Sequence, residues 1–399
     1  MKKLLALVLV AVMMFALVGC SNEKTDDNSA LKIGMICLHD ENSTYDRNFI
    51  DAMNEAKANL GLSDDQVIIK TNIPESNECY EAAVDLVDRG CNIVFANSFG
   101  HESYIIQAAK EFPNVQFLHA TGTMAHTENL ANFHNAFASI YEGRYLAGIA
   151  AGMKLNEMIA AGKFTAAEAV MGYVGAYTYA EVISGYTSFY LGAKSVCPTV
   201  TMKVQFTGSW YDEAAEKEAA TKLISEGCKL ISQHADSMGA PTACETAGIP
   251  NVSYNGSTVS ACPNTFIVSS RINWAPYYEY AANCVLEGKA IDADWTGTLQ
   301  TGSVVLTAVN EQAAAAGTQD AIDAAIADLK AGKIHVFDTA NFTVNGAALT
   351  TYMADVDTDA AYTGDTEVVS DGYFHESEYR SAPYFDIRID GIETLNEKF

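Results

Sequence analysis

Short apolar runs alternate with stretches of helical periodicity along most of the chain, and this alternation is what the residue order dictates first. Residues 31–38 form an apolar run of strand length, and a helical period follows from 48 to 60. A strand at 67–69 then precedes a helix at 78–88, a strand at 92–96 precedes a helix at 104–111, and a further strand follows at 115–118. Strand–helix–strand units of this kind predict a parallel, doubly wound α/β sheet. A small-residue helix over 145–153 leads into a polar insertion, after which the rhythm restarts, with strands expected at 170–174, 201–206, 229–232, 251–254 and 266–269. Two such series predict two similar lobes joined by a hinge. A helix over 276–286 is expected to end near Gly288, with Pro276 in its first turn, where a missing N–H costs nothing. Beyond it strand signals weaken, and an Ala-rich helix is predicted over 311–331. The expected division is 31–160 for the first lobe, completed by about 271–295 and part of the C-terminal region, and 168–270 for the second, completed by part of 300–399. No tandem repeat or low-complexity segment interrupts this pattern.

The first residues break from it. Two lysines precede an apolar, acid-free run over 4–19, which reads as a signal peptide and is short for a spanning helix. Leu17-Val18-Gly19-Cys20 resembles the lipobox, in which the cysteine is lipidated and becomes the new N-terminus. Residues 1–19 are therefore expected to be removed, and the polar stretch 20–30 to tether the folded part to the extracytoplasmic face of a cell membrane. Loss of two lysines takes the formal charge from −26 to about −28, which makes nucleic acid and anionic lipid surfaces poor partners. The remaining length, about 380 residues, is too great for one compact core and agrees with two lobes. Eight cysteines follow Cys20, none in CxxC spacing. Their even number permits disulfides, but several fall where buried strand or helix residues are expected, which favours mostly free thiols.

In an open parallel sheet, ligands sit beyond the carboxyl ends of the strands. The residues there are His39, Asp40, Tyr45, Asp46 and Phe49, then Asn97, Ser98, Phe99 and His101. In the second series they are Tyr177 and Tyr179, Ser209 and Trp210, Gln233, His234, Asp236 and Ser237, Tyr254 and Asn255, then Trp274 and Tyr277. Aromatics interspersed with amide, hydroxyl and carboxylate groups suit a flat heterocycle, whose faces stack while its edge needs donors and acceptors. No basic cluster stands among them, which argues against a phosphorylated or strongly anionic ligand. Residues 96–100 approximate a nucleophile elbow, but alanine replaces its first glycine and only His234 is a formal base. His39, Asp40, His101, His234 and Asp236 have no spacing that enforces a metal site. With no Walker A loop, HExxH or Rossmann fingerprint, a binding protein without cofactor or metal is expected rather than an enzyme.

Several of these stretches are shared with a known group. Phe95-Ala96-Asn97-Ser98-Phe99-Gly100, His119-Ala120-Thr121-Gly122, Tyr141-Glu142-Gly143-Arg144-Tyr145-Leu146-Ala147-Gly148, Gly208-Ser209-Trp210, Gln233-His234-Ala235-Asp236-Ser237 and Asn273-Trp274-Ala275-Pro276-Tyr277-Tyr278 occur in order. The chain thereby resembles the basic membrane protein family of solute-binding lipoproteins, the PnrA-like group with the type I periplasmic-binding fold. The resemblance implies a monomeric receptor that passes its ligand to an ABC importer permease. The Gly-Ser-Trp, Gln-His-x-Asp-Ser and Asn-Trp-x-Pro-Tyr-Tyr pieces are similar to the branch associated with purine bases. Carried over by position, Phe49 would stack on the ring, with Asp40 as the acidic residue nine positions before it. Trp210 would stack from the opposite lobe, Asp236 and Asn255 would address the purine edge, and Ser98 and Phe99 would line the first lobe's side. Tyr45, Tyr177, His234 and Trp274 complete the expected ligand-binding set. A nucleoside or flavin receptor of the same fold, and a surface sensor without a transport role, remain the alternatives.

Overall fold

In this computed structural model, which describes residues 30–356, 361 and 363–397, the apolar runs become two sheets. Cys20 and the proposed signal peptide lie outside the described residues. The first sheet contains β1 (Ile33–Ile36), β2 (Val67–Lys70), β3 (Ile93–Ala96), β4 (Gln116–Ala120), β5 (Phe133–Ala138) and β11 (Asp294–Gly297), in the order β11-β5-β4-β3-β1-β2 and all parallel. β1 and β3 are buried at every position, as central strands covered on both faces must be. Helices α1 (Thr44–Asn59), α2 (Asn77–Asp88), α3 (Glu102–Glu111) and the short α4 (Ala125–Glu128) fill the connections. Ser43 caps α1 by accepting from the Asp46 N–H at 3.1 Å.

The second sheet has the order β12-β10-β9-β8-β6-β7-β17. Its strands are β6 (Val170–Gly175), β7 (Thr201–Phe206), β8 (Leu230–His234), β9 (Asn251–Tyr254), β10 (Phe266–Ile272), β12 (Val304–Leu306) and β17 (Ile392–Thr394). All are parallel except β12, which runs antiparallel to β10. The connecting helices are α5 (Ile140–Ala160), α6 (Ala180–Val196), α7 (Glu213–Ser225) and α8 (Gly239–Ala247), and α9 (Ala275–Glu287) returns the chain to the first sheet. α9 ends at Gly288, whose φ of 64° suits a left-handed cap. The helix expected over 311–331 is shorter, α10 (Thr318–Lys330). Two small hairpins, β13 (Met353–Ala354) with β14 (Thr366–Glu367) and β15 (Val369–Ser370) with β16 (Tyr373–Phe374), precede β17.

In each lobe the strand order reverses beside the first strand, between β1 and β3 and between β6 and β8. These are the switch points where a doubly wound sheet opens a crevice. The chain crosses between the sheets after β5, β10 and β11. α5, placed with the first lobe by its sequence position, packs on second-lobe elements instead. A Cβ at Gly148 would stand 2.1 Å from the Phe189 carbonyl oxygen of α6, and one at Gly192 would stand 2.0 Å from that of Tyr145. Only glycine permits this approach. Arg144, on the same helix and fully buried, donates to Ser232 Oγ (2.7 Å), Tyr173 Oη (3.1 Å) and the Ser253 carbonyl (3.1 Å) beneath the second sheet. A C-terminal strap ties both lobes together: the Ser381 N–H donates to Asp294 Oδ2 at 2.8 Å, and Ser184 of α6 bonds Glu376. All eight cysteines after Cys20 are buried free thiols, and no helix among the described residues is long and apolar enough to cross a membrane.

Candidate functional site

The carboxyl ends of the two sheets face one another across a narrow slot. Leu38 follows β1, Tyr45 lies in the first turn of α1, Ser98 and Phe99 follow β3, and Thr121 follows β4. Glu181 in the first turn of α6, Trp210 after β7, His234 and Asp236 at and after β8, and Tyr254 at the end of β9 form the opposite wall. The slot is tight, with about 20 Å³ open to the centre of a water-sized sphere. That is room for about one water molecule, so a heterocycle enters only if the walls part. The lobes touch around it. Thr44 N and Oγ1 donate to the Asp236 carbonyl at 3.0 and 3.2 Å, and the Phe99 and Tyr179 rings meet with centroids 5.3 Å apart.

Of the residues expected at the site, the structure brings Tyr45, Ser98, Phe99, Trp210, His234 and Asp236 to this slot. Tyr177 stands beside it, stacked on Tyr179 at 5.2 Å and edge-on to Trp210 at 5.1 Å. Phe49 and Trp274 are both buried and stack on each other, centroids 4.5 Å apart and planes 23° apart, within a cluster containing Phe95. They lie among the core residues and not in the slot wall, because α1 turns its apolar face onto α9. Asp40 is also outside the wall. Its carboxylate closes a local turn by accepting from Asn42 N (3.0 Å) and Asn42 Nδ2 (2.8 Å). Asp46, in the first turn of α1, is the buried acid beside that turn. It accepts from Asn97 Nδ2 at 2.8 Å and His39 N at 3.1 Å. Asn255, with φ of 64°, turns its amide toward Asp236 and lines a neighbouring polar pocket. Sequence reasoning did not find Glu181 or Thr121. An acid in the first turn of a helix is ordinarily explained by the helix dipole, and the backbone conformation that distinguishes Thr121 leaves no mark in the sequence.

The electrostatics are acidic to neutral. Burial, then the carboxylates of Asp46, Glu216 and Glu181, push the Asp236 carboxyl well above the usual carboxylate range. Burial lowers the His234 pKa, against the pull of Glu181, whose Oε1 lies 3.2 Å from Nε2. No lysine or arginine is among the lining residues. Tyr45 Oη donates to the Asn97 carbonyl at 2.6 Å and Ser98 Oγ to Glu75 Oε1 at 2.6 Å, so both hydroxyl hydrogens are already engaged. The wall therefore offers aromatic faces from both lobes, acceptors, and in Asp236 a carboxyl whose pKa burial and neighbouring acids raise. Among the described residues, no group of three or more His, Cys, Asp or Glu side chains is placed to hold a metal ion.

Comparison with known proteins agrees with this architecture. Residues 34–333 match the Bmp family, described as ABC transporter substrate-binding protein PnrA-like. The chain is 30% identical over 217 residues to a purine-binding protein of Brucella abortus, covering 54% of this chain and 58% of that one. It is 32% identical over 216 residues to a putative ABC transporter glucose-binding protein of Haloferax volcanii, covering 54% and 51%. The chain thus spans about half the length of the curated relatives it matches. A solved ABC transporter solute-binding protein from Conexibacter woesei superposes with a TM-score of 0.61 at 19% identity, over 76% of this chain and 98% of that one. The chain belongs to the PnrA-like substrate-binding family and has its bilobed type I fold.

Proposed function

We propose that this member of the PnrA-like family receives a purine base, or a related flat heterocycle, between its lobes. It is held by lipid on Cys20 at the outer face of a membrane and passes its ligand to the permease of an ABC importer. The observation that carries the reading is the composition of the slot. Tyr45 and Phe99 on one wall face Trp210 and Tyr254 on the other, with Asp236 and Glu181 at hand and no cation among the lining residues. Stacking satisfies the faces of a planar ring, and the acids at the slot address its N–H edge. Binding between two lobes rewards their closure and so couples occupancy to shape, without any bond being made or broken. The Brucella relative, named for purine binding, supports this ligand class.

An aldose is the second reading, since the Haloferax relative is named for glucose and carboxylates beside tryptophan suit sugar hydroxyls. Four aromatic rings drawn from both walls favour a planar base, which can stack on both faces, over a puckered sugar ring. Isothermal calorimetry and thermal shift against adenine, hypoxanthine, their nucleosides, riboflavin and glucose test the assignment. The expected result is saturable binding of a free base. Binding of glucose or nucleosides with no response to bases would overturn it. Trp210→Ala is expected to weaken the base by about tenfold or more, since stacking on an aromatic contributes about 1–3 kcal/mol. Unchanged affinity would remove Trp210 from the site.

A further inference from the structure

Six described residues other than glycine have positive φ. Five are Asn or Asp, whose side chains tolerate the left-handed region, and the sixth is Thr121 at φ 67°. A β-branched residue there is strained, and it persists only where its surroundings over-determine it. They do so here. The Thr121 N–H donates to the Ala136 carbonyl at 3.1 Å. Gly122 has no room for a Cβ, which would stand 2.2 Å from Asn135 Nδ2 and 2.3 Å from Glu102 Oε1. The buried Glu102 carboxylate, through the same Oε1, accepts from Thr123 N and Met124 N at 2.8 Å each and from Asn135 Nδ2 at 3.0 Å. The turn after β4 is pinned from below, so Thr121 cannot relax.

Strain is accompanied by an unsatisfied group. Thr121 is only 4% exposed, and its Oγ1 is buried without a hydrogen-bond partner, although the residue lines the slot. Glycine at this position would remove both costs, since it adopts positive φ freely and carries no hydroxyl. Of the other first-lobe lining residues, Leu38 and Phe99 have no polar side-chain atom, and the hydroxyls of Tyr45 and Ser98 already donate elsewhere. The second lobe, by contrast, supplies Glu181 and Asp236.

We infer that Thr121 is a specificity-determining residue, the hydroxyl by which the first lobe hydrogen-bonds the polar edge of the bound heterocycle. The inference rests on the purine-like reading of the slot and deepens it. A ring nitrogen, oxo or amino group satisfies the hydroxyl, because it both donates and accepts. With acids on one lobe and one free hydroxyl on the other, a ligand polar on two edges is what draws both walls together.

The test is calorimetry with adenine and hypoxanthine on wild type, Thr121→Val, Thr121→Ser and Thr121→Gly, each also melted without ligand. The valine variant keeps the branched shape and loses the hydroxyl, and it should bind about three- to tenfold more weakly. The serine variant should stay within about twofold of wild type. The glycine variant should bind as weakly as valine yet melt no lower than wild type, opposite signs that a merely structural residue would not give. Valine binding as wild type does overturns the inference while leaving the purine reading intact. If valine does not fold, glycine at wild-type affinity does the same. A wild-type chain that binds neither base overturns both.

Discussion

Glu376 shows how single buried residues set the conditions under which this chain is stable. Burial pushes its carboxyl up to about 7, against the hydroxyls of Ser184 and Ser377 that bond it. Unfolded, the same group titrates near about 4.3. Below that pH both states hold the proton. As pH rises from there through the folded value, only the unfolded state gives it up readily, so stability is progressively lost. Glu142 and Glu216, also raised to about 7 by burial, act with the same sign. Buried His101, His119 and His134, lowered to about 4, act oppositely, with stability lost as pH falls below about 6.5. Comparing Glu376→Gln with wild type cancels these other groups. Glutamine mimics the protonated acid, so its melting temperature should gain on wild type steadily from pH 5 to pH 7.5. A gap that does not change with pH would refute the assignment. Position at the slot was legible where it follows directly from a strand end, as with Trp210, His234 and Asp236. The residue order did not foretell that Phe49 and Trp274 are buried against each other, because an aromatic after a strand is equally suited to stacking on another aromatic underneath, and which one happens depends on how α1 meets α9.

Among the elements, the contact of α5 with α6 is the most exacting. The two backbones approach where Gly148 meets Phe189 and Gly192 meets Tyr145, and a methyl group at either glycine would overlap a carbonyl oxygen. Gly192→Ala is therefore expected to cost about 1–3 kcal/mol or more, since neither helix can withdraw without unpacking Arg144 and its partners from the second sheet. Urea unfolding measures it, and a midpoint equal to wild type would show that the helices slide apart freely. The apolar rhythm made five strands of the second lobe legible, 201–206 and 251–254 to the residue, while β10 runs three residues past the expected 266–269. It left β5 unread. His134 and Asn135 break the apolar run there, and only the folded chain shows why burial is tolerated. His134 Nε2 meets Gln116 Oε1 at 2.9 Å, and Asn135 bonds Glu102 and the Ala125 N–H. β11, β12 and β17 escaped for a related reason. Each is a short strand near a sheet edge, recruited from a segment whose own pattern is too weak to announce it.

For the molecule as a whole, the acidic charge and the proposed anchor belong together. A chain of formal charge −26 gains nothing from anionic membrane surfaces, so retention at a membrane calls for a covalent device. Metabolic labelling with palmitate should mark the wild-type chain and not Cys20→Ser, with the substituted chain lost from the membrane fraction. Equal labelling would end the anchoring proposal. The slot itself sets a limit of another kind. Its walls meet through the Thr44 and Asp236 backbones and leave space for little more than a water molecule. Nothing the size of a base can pass while they touch. For the ligand proposed above, arrival and escape would then share one gate, and dwell time would be governed by how often the lobes part rather than by stacking strength alone. On the proposed reading, whatever pries the lobes open would also control the moment of release.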